Sequence, residues 1–192
     1  YALRALDLSA FNTANVTNMQ EMFLNDRSLN SVVLTSFNVN KVTTMQSMFN
    51  SCLALQSVDL SSFNAPNVNS MYAMFYNCQN LNNMVMPNDM NTTSLVNMQQ
   101  MFSQCYALIN IALRALRVNA VTNMTSMFTE NRATQVIDLS SWQLNLDATV
   151  TGTAMFNNCM NLRTVYVSEK WNNTRLSANN MFANCQKLVG AN

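Results

Sequence analysis

Histidine is absent from this 192-residue chain. No imidazole is therefore present to act as a general base or to ligate a metal. Charge is scarce too. Asp, Glu, Lys and Arg make up 10% of the residues, against roughly a quarter in ordinary globular proteins, and the net charge is +1. The ten Lys and Arg are scattered and form no basic stripe, which argues against a nucleic-acid partner. Glycine and proline, the usual turn residues, number two each. No apolar run reaches the roughly 18–20 residues that span a bilayer, so no membrane insertion is expected. No charged, apolar and small-residue leader opens the sequence. It runs from Tyr1 to Asn192 and reads as one solenoid domain over residues 1–192, part of a longer chain.

What is present is unusual in kind. Hydrophobic residues make up 49%, which argues against disorder. There are 16 Met and 32 Asn, the latter one residue in six. The reason lies in an internal repeat. Met-x-x-Met-Phe occurs at Met19/Met22/Phe23, Met45/Met48/Phe49, Met71/Met74/Phe75, Met98/Met101/Phe102 and Met124/Met127/Phe128. It decays to Met155/Phe156 and Met181/Phe182, and the seven Phe are 26, 26, 27, 26, 28 and 26 residues apart.

Aligned on that Phe, further columns appear. Three residues on stand Cys52, Cys78, Cys105, Cys159 and Cys185, with Asp26 and Asn131 as exceptions. Six residues on stands Leu in six copies, with Thr134 the outlier. Pairs at spacing two follow, such as Val32/Leu34 and Val58/Leu60, and read as a short strand with one face buried. The spacing of three and four in Val-x-x-Met-x-x-Met-Phe predicts a turn or two of helix, with Asn15 and its equivalents as caps. One strand and one short helix or turn in about 26 residues predicts an α/β solenoid of leucine-rich-repeat type. It would have about seven coils, a parallel β-sheet on one face and short helices or turns on the other.

The Met, Phe, Cys and Leu columns are then core, not a thioether metal row. The five Cys form no Cys-x-x-Cys pair and lie one repeat apart, along a column and not around a point, so neither a metal site nor a nucleophile is expected. Free buried thiols are the expectation. Asn12, Asn38 and Asn64 stand at a corner where Asn can satisfy turning backbone, as a stacked ladder.

A solenoid's concave sheet face is its habitual binding surface. The strand positions pointing outward there include Asp7, Ser9, Thr35, Asp59, Ser61, Arg114, Asp138, Ser140, Tyr166 and Ser168, the candidate binding residues. Val33, Val85, Pro87 and Ala112 share these rows, whose chemistry varies from copy to copy while the core columns do not. Asp7, Asp59 and Asp138 are too many coils apart for joint acid–base work, so no catalytic residue and no cofactor are expected. A Thr column suited to a lattice is interrupted: Thr17, Thr43 and Thr122 alternate with Asn69 and Val96, which argues against ice binding. Low charge leaves little repulsion between copies, so self-association through an uncovered coil edge is a second expectation. Sequons stand at Asn15, Asn91, Asn123 and Asn172.

Leu3-Arg-Ala-Leu6-Asp7-Leu8-Ser9-Ala-Phe11-Asn12-Thr13-Ala-Asn15-Val16-Thr17-Asn18-Met19-Gln-Glu-Met22-Phe23 resembles the repeat of BspA-like leucine-rich-repeat surface proteins, in the branch shared with mycoplasma-type lipoproteins. Leu55-Gln-Ser-Val58-Asp59-Leu60-Ser61-Ser62-Phe63-Asn64 is a second clear copy. The resemblance covers essentially the whole chain. It implies a non-catalytic extracellular or cell-surface module that binds a protein or glycan ligand. It carries over no catalytic residue.

Overall fold

The computed structural model describes residues 3–111, 113–171 and 174–189. Each repeat forms one coil of a solenoid. Strands β1 (Ala5–Asp7), β2 (Ser31–Val33), β3 (Ser57–Asp59) and β4 (Asn83–Val85) make one parallel sheet in chain order. Its register is one repeat per step: Leu6 lies beside Val32 and Val58 beside Met84. Strands β5 (Val136–Leu139), β6 (Val150–Thr151), β7 (Thr164–Val167) and β8 (Leu176–Ser177) follow. β5 pairs with β7, and β6 pairs with β8, all parallel. Between β4 and β5 a 3-10 turn, Leu113–Ala115, stands in register with Leu60–Ser62, the residues that follow β3, and the described strands form three separate sheets. A second ladder runs down another corner through Asn18, Thr44, Ser70, Asn97, Asn123 and Thr151, and β6 and β8 extend it.

The predicted helix is not there. Among the described residues the Met-x-x-Met-Phe segment is a chain of tight turns, and the 3-10 turn is the one helical element. Two residues in every coil hold φ between 51° and 64°: Ser47 and Ser51, Ala73 and Asn77, Gln100 and Gln104, and their equivalents. A left-handed residue breaks the i to i−4 ladder. The amides turn outward along the solenoid instead. Met45, Ser47, Phe49 and Ser51 N–H donate to the carbonyls of Ser70, Tyr72, Met74 and Tyr76, at 2.8–3.0 Å. The segment is thus a ladder between coils, with i to i−3 turn bonds between its rungs. Asn15 and its equivalents have no helix to cap.

The spacing nonetheless identifies the core. Phe23, Phe49, Phe75, Phe102, Phe128, Phe156 and Phe182 stack face to face, with centroids 5.0–5.8 Å apart. Met45, Met48, Met71, Met74, Met98, Met101, Met124 and Met127 are all buried around that column. Each such side chain contributes about 1.5–3 kcal/mol by area removed from water. Five free thiols run beside it, four buried and Cys185 half-buried. Each donates to the carbonyl of a Phe in the preceding coil: Cys52 to Phe23, Cys78 to Phe49, Cys105 to Phe75, Cys159 to Phe128 and Cys185 to Phe156, at 2.9–3.1 Å. The column therefore satisfies backbone groups as well as filling space.

Candidate functional site

The strand face presents the predicted outward rows, but the Asp and Ser among them have an internal task. Ser9 N–H donates to Asp7 Oδ1 at 2.8 Å, Ser61 N–H to Asp59 Oδ1 at 2.8 Å, and Ser140 N–H to Asp138 Oδ1 at 2.9 Å. Each Asp closes the turn that leaves its strand. The hydrogen bonds from Ser9 and from Ser140 hold the Asp7 and Asp138 carboxyls below the usual carboxylate range. Arg114 adds to the effect at Asp138, and its Nε donates to Oδ2 at 2.9 Å.

Arg114 sits in the 3-10 turn and not on a strand, with 69% of its side chain exposed. Its partner in the pattern, Ala112, lies outside the described residues. Ser168 Oγ donates to Trp142 O at 2.9 Å, so that hydroxyl too is engaged. Thr35 is exposed beyond the end of β2. Tyr166 is 55% exposed on β7, beside Val167 at 48% and in the row of Asp138. The face is thus turn-closing Asp and Ser, alternating with exposed Val33, Val85, Val136 and Tyr166.

The sequence missed one feature of this region. Arg117 Nε donates to Asp89 Oδ1 at 3.1 Å, and this hydrogen bond lowers the Asp89 carboxyl and raises the Arg117 guanidinium. With Arg114–Asp138 it ties coils together on both sides of the gap in the sheet. The charges are visible in sequence, but their pairing across 24 and 28 residues needs the coil register.

The corner Asn act singly. Asn12 Oδ1 accepts from Ala14 N–H, Asn38 Oδ1 from Asn40 N–H and Asn91 Oδ1 from Thr93 N–H, at 3.0–3.3 Å. Asn64 Nδ2 donates to Asn40 Oδ1 at 3.1 Å, off its own column, so no continuous amide ladder forms. Of the sequons, Asn15 is exposed and accepts from Lys41 Nζ, whereas Asn123 has both ends of its amide bonded. Asn172 lies outside the described residues.

No group of three His, Cys, Asp or Glu among the described residues is arranged to hold a metal. No helix among them is long and apolar enough to cross a membrane. Cavities lie at the two ends of the coil stack. One of about 320 Å³ is lined by Phe11, Val16, Met19, Met22 and Phe37, and one of about 260 Å³ by Phe156, Val165, Trp171, Met181 and Phe182.

Comparison with known proteins gives three findings. A solved leucine-rich cell surface protein of Faecalibacterium prausnitzii A2-165 is similar over 97% of this chain, at 18% identity and a TM-score of 0.43. The chain spans 59% of that protein's length. No curated protein matches the chain significantly. The family model described as "Mycoplasma protein of unknown function, DUF285" matches residues 2–108 and 86–191, which bears out the mycoplasma-type resemblance of the repeat. By that match over nearly its whole length, the chain belongs to this family of repeat proteins.

Proposed function

We propose that this chain is a non-catalytic interaction module of a surface-exposed repeat protein, binding a protein or glycan ligand. The observation that carries the reading is the contrast between core and face. The inward column Val32, Val58, Met84, Ile137 and Val165 keeps one chemistry, while the outward row runs Asp7, Val33, Asp59, Val85, Asp138, Tyr166. A rigid stack that displays changeable side chains suits recognition. Asp7, Asp59 and Asp138 each accept a turn amide in separate coils, an arrangement that favours a scaffold over joint acid–base chemistry. The localisation in this reading is the cell surface or the extracellular space, in line with what the repeat resemblance implies.

The test is surface shaving. Brief protease treatment of intact source cells is expected to release peptides of this chain. Recovery only after lysis overturns the surface reading and leaves the solenoid intact.

Self-assembly is a second reading, and it has its own observation. Phe11 and Met22 are exposed at the first end cavity, and Phe182 at the second. In this reading each end cavity is covered by a coil of another copy.

A further inference from the structure

The turn face, opposite in role to the strand face, has a composition of its own in the central coils. Residues 44–54, 70–80 and 97–107 contain no Asp, Glu, Lys or Arg. Tyr72 and Tyr76 are half-exposed there, while Ala73, Met74 and Phe75 between them are buried, so both tyrosines project away from the core. The adjoining coils set amides beside them. Ser47 N–H donates to Tyr72 O and Ser51 N–H to Tyr76 O, which aligns Gln46 and Asn50 with the two tyrosines; Ala73 N–H donates to Gln99 O on the other side. None of the exposed large apolar side chains lies on this part of the molecule.

We propose that this face binds a neutral oligosaccharide that lies across the third coil, over Tyr72 and Tyr76. The inference rests on the interaction-module reading and adds a ligand class and a second face. Two observations carry it. First, these segments of coils two to four carry no charge of their own, and the Arg132 guanidinium that reaches the Tyr106 ring comes from the fifth coil, so no ion is desolvated beneath a neutral ligand at Tyr72 and Tyr76. Second, aromatic rings beside amides match a sugar, whose C–H face stacks on a ring and whose hydroxyls pair with planar amides. Among the described residues, the Tyr72 and Tyr76 hydroxyls and the Gln46, Gln100 and Gln104 side chains have no hydrogen-bond partner, so they are available.

The face is also set before any ligand arrives. Gln79 Nε2 donates to Asn77 Oδ1 at 2.9 Å, and Ser51 Oγ to Asn50 Oδ1 at 2.8 Å. Side chains already fixed lose less entropy on binding. The site lies in coils two to four, away from both ends of the stack.

Calorimetric titration with cellohexaose and chitohexaose tests this, with a heparin hexasaccharide as the polyanionic control. Binding of at least one neutral hexaose is expected, and none of heparin. Tyr72→Ala and Tyr76→Ala are each expected to weaken it by about tenfold, the usual worth of a stacking aromatic. Tyr72→Phe keeps the ring and is expected to keep binding. If Tyr72→Ala does not fold, Gln46→Glu, which puts a carboxylate on the row, is expected to give the same loss. Absence of hexaose binding at millimolar concentration overturns the proposal. So does binding unchanged in these variants, or a protein ligand that hexaose does not displace. Shaved peptides from intact cells without hexaose binding would overturn this inference and leave the surface reading standing.

Discussion

At the scale of single residues, the fifth coil holds the exceptions. Asn131 stands in the Cys column and Thr134 in the Leu column, and both are fully buried. Thr134 Oγ1 is satisfied, donating to Leu108 O at 2.6 Å. Asn131 Oδ1 accepts from Cys105 N–H at 3.0 Å, but its Nδ2 has no partner. A buried donor left unpaired costs about 1–3 kcal/mol. A thiol at this place would meet the Phe102 carbonyl as the other Cys meet theirs. The substitution also takes the acceptor from Cys105 N–H, which can turn to the Phe102 carbonyl as Cys52 and Cys78 N–H do to those of Phe49 and Phe75; with that exchange Asn131→Cys is expected to stabilise the chain by about 1 kcal/mol, read as a rise in the urea midpoint without a change in slope. A lower midpoint would mean that the amide fits this site better than a thiol. The misfit of Asn131 was legible in sequence as a broken column. Its unmet bond was not, because that depends on where the neighbouring coil's carbonyl points.

At the scale of the element, spacing misled in a definite way. Apolar residues three and four apart suit one face of a helix, and they suit two successive tight turns equally well. The discriminating residues are the two that must turn left-handed. Asn occupies the second of these columns in four coils, at Asn25, Asn77, Asn158 and Asn184, as its tolerance of that region allows. The first column holds Glu21, Ser47, Ala73, Gln100, Ser126, Ala154 and Asn180, which carry no common signal. That is why the strand was readable from its alternation and the turn was not. It also gives a test that separates turn from helix. Ser126 has φ 54°. Ser126→Gly is expected to leave stability unchanged or raise it, and Ser126→Val to lower it by about 1–2 kcal/mol, since a β-branched residue fits that region worst. In a helix Gly would be the costly choice, so chemical denaturation of the pair decides between them.

At the scale of the whole molecule, the seven coils and their core columns were legible because every coil repeats the same burial. The candidate face was legible only as rows. Asp59 and Ser61 look like ligand-facing side chains until the bond from Ser61 N–H to Asp59 shows them closing a turn. The Cys column joins these scales, because it couples stability to pH along nearly the whole stack. Burial pushes the Cys52 and Cys105 thiols up to about 12 and holds Cys78 well above the usual thiol range. In the unfolded chain a thiol ionises near pH 8.5. Above that pH the unfolded state has lost protons that the folded state keeps. Folding stability is then fully present below about pH 8 and falls as pH rises, by up to about 1.4 kcal/mol per pH unit for each buried thiol. The window from about pH 8 to 9.5 precedes most Tyr and Lys titration, so the thiols dominate it. Thermal midpoints measured under reducing conditions are expected to drop across that window. Cys78→Ala is expected to make the drop shallower by one thiol's share while lowering the midpoint at pH 7 through the lost packing and the lost bond from the thiol to the Phe49 carbonyl, which keeps the Cys52 N–H. A profile that is flat to pH 9.5 would mean that the thiols reach solvent in the folded state, and the column would then not be the closed interior seam on which the stacking of coils rests.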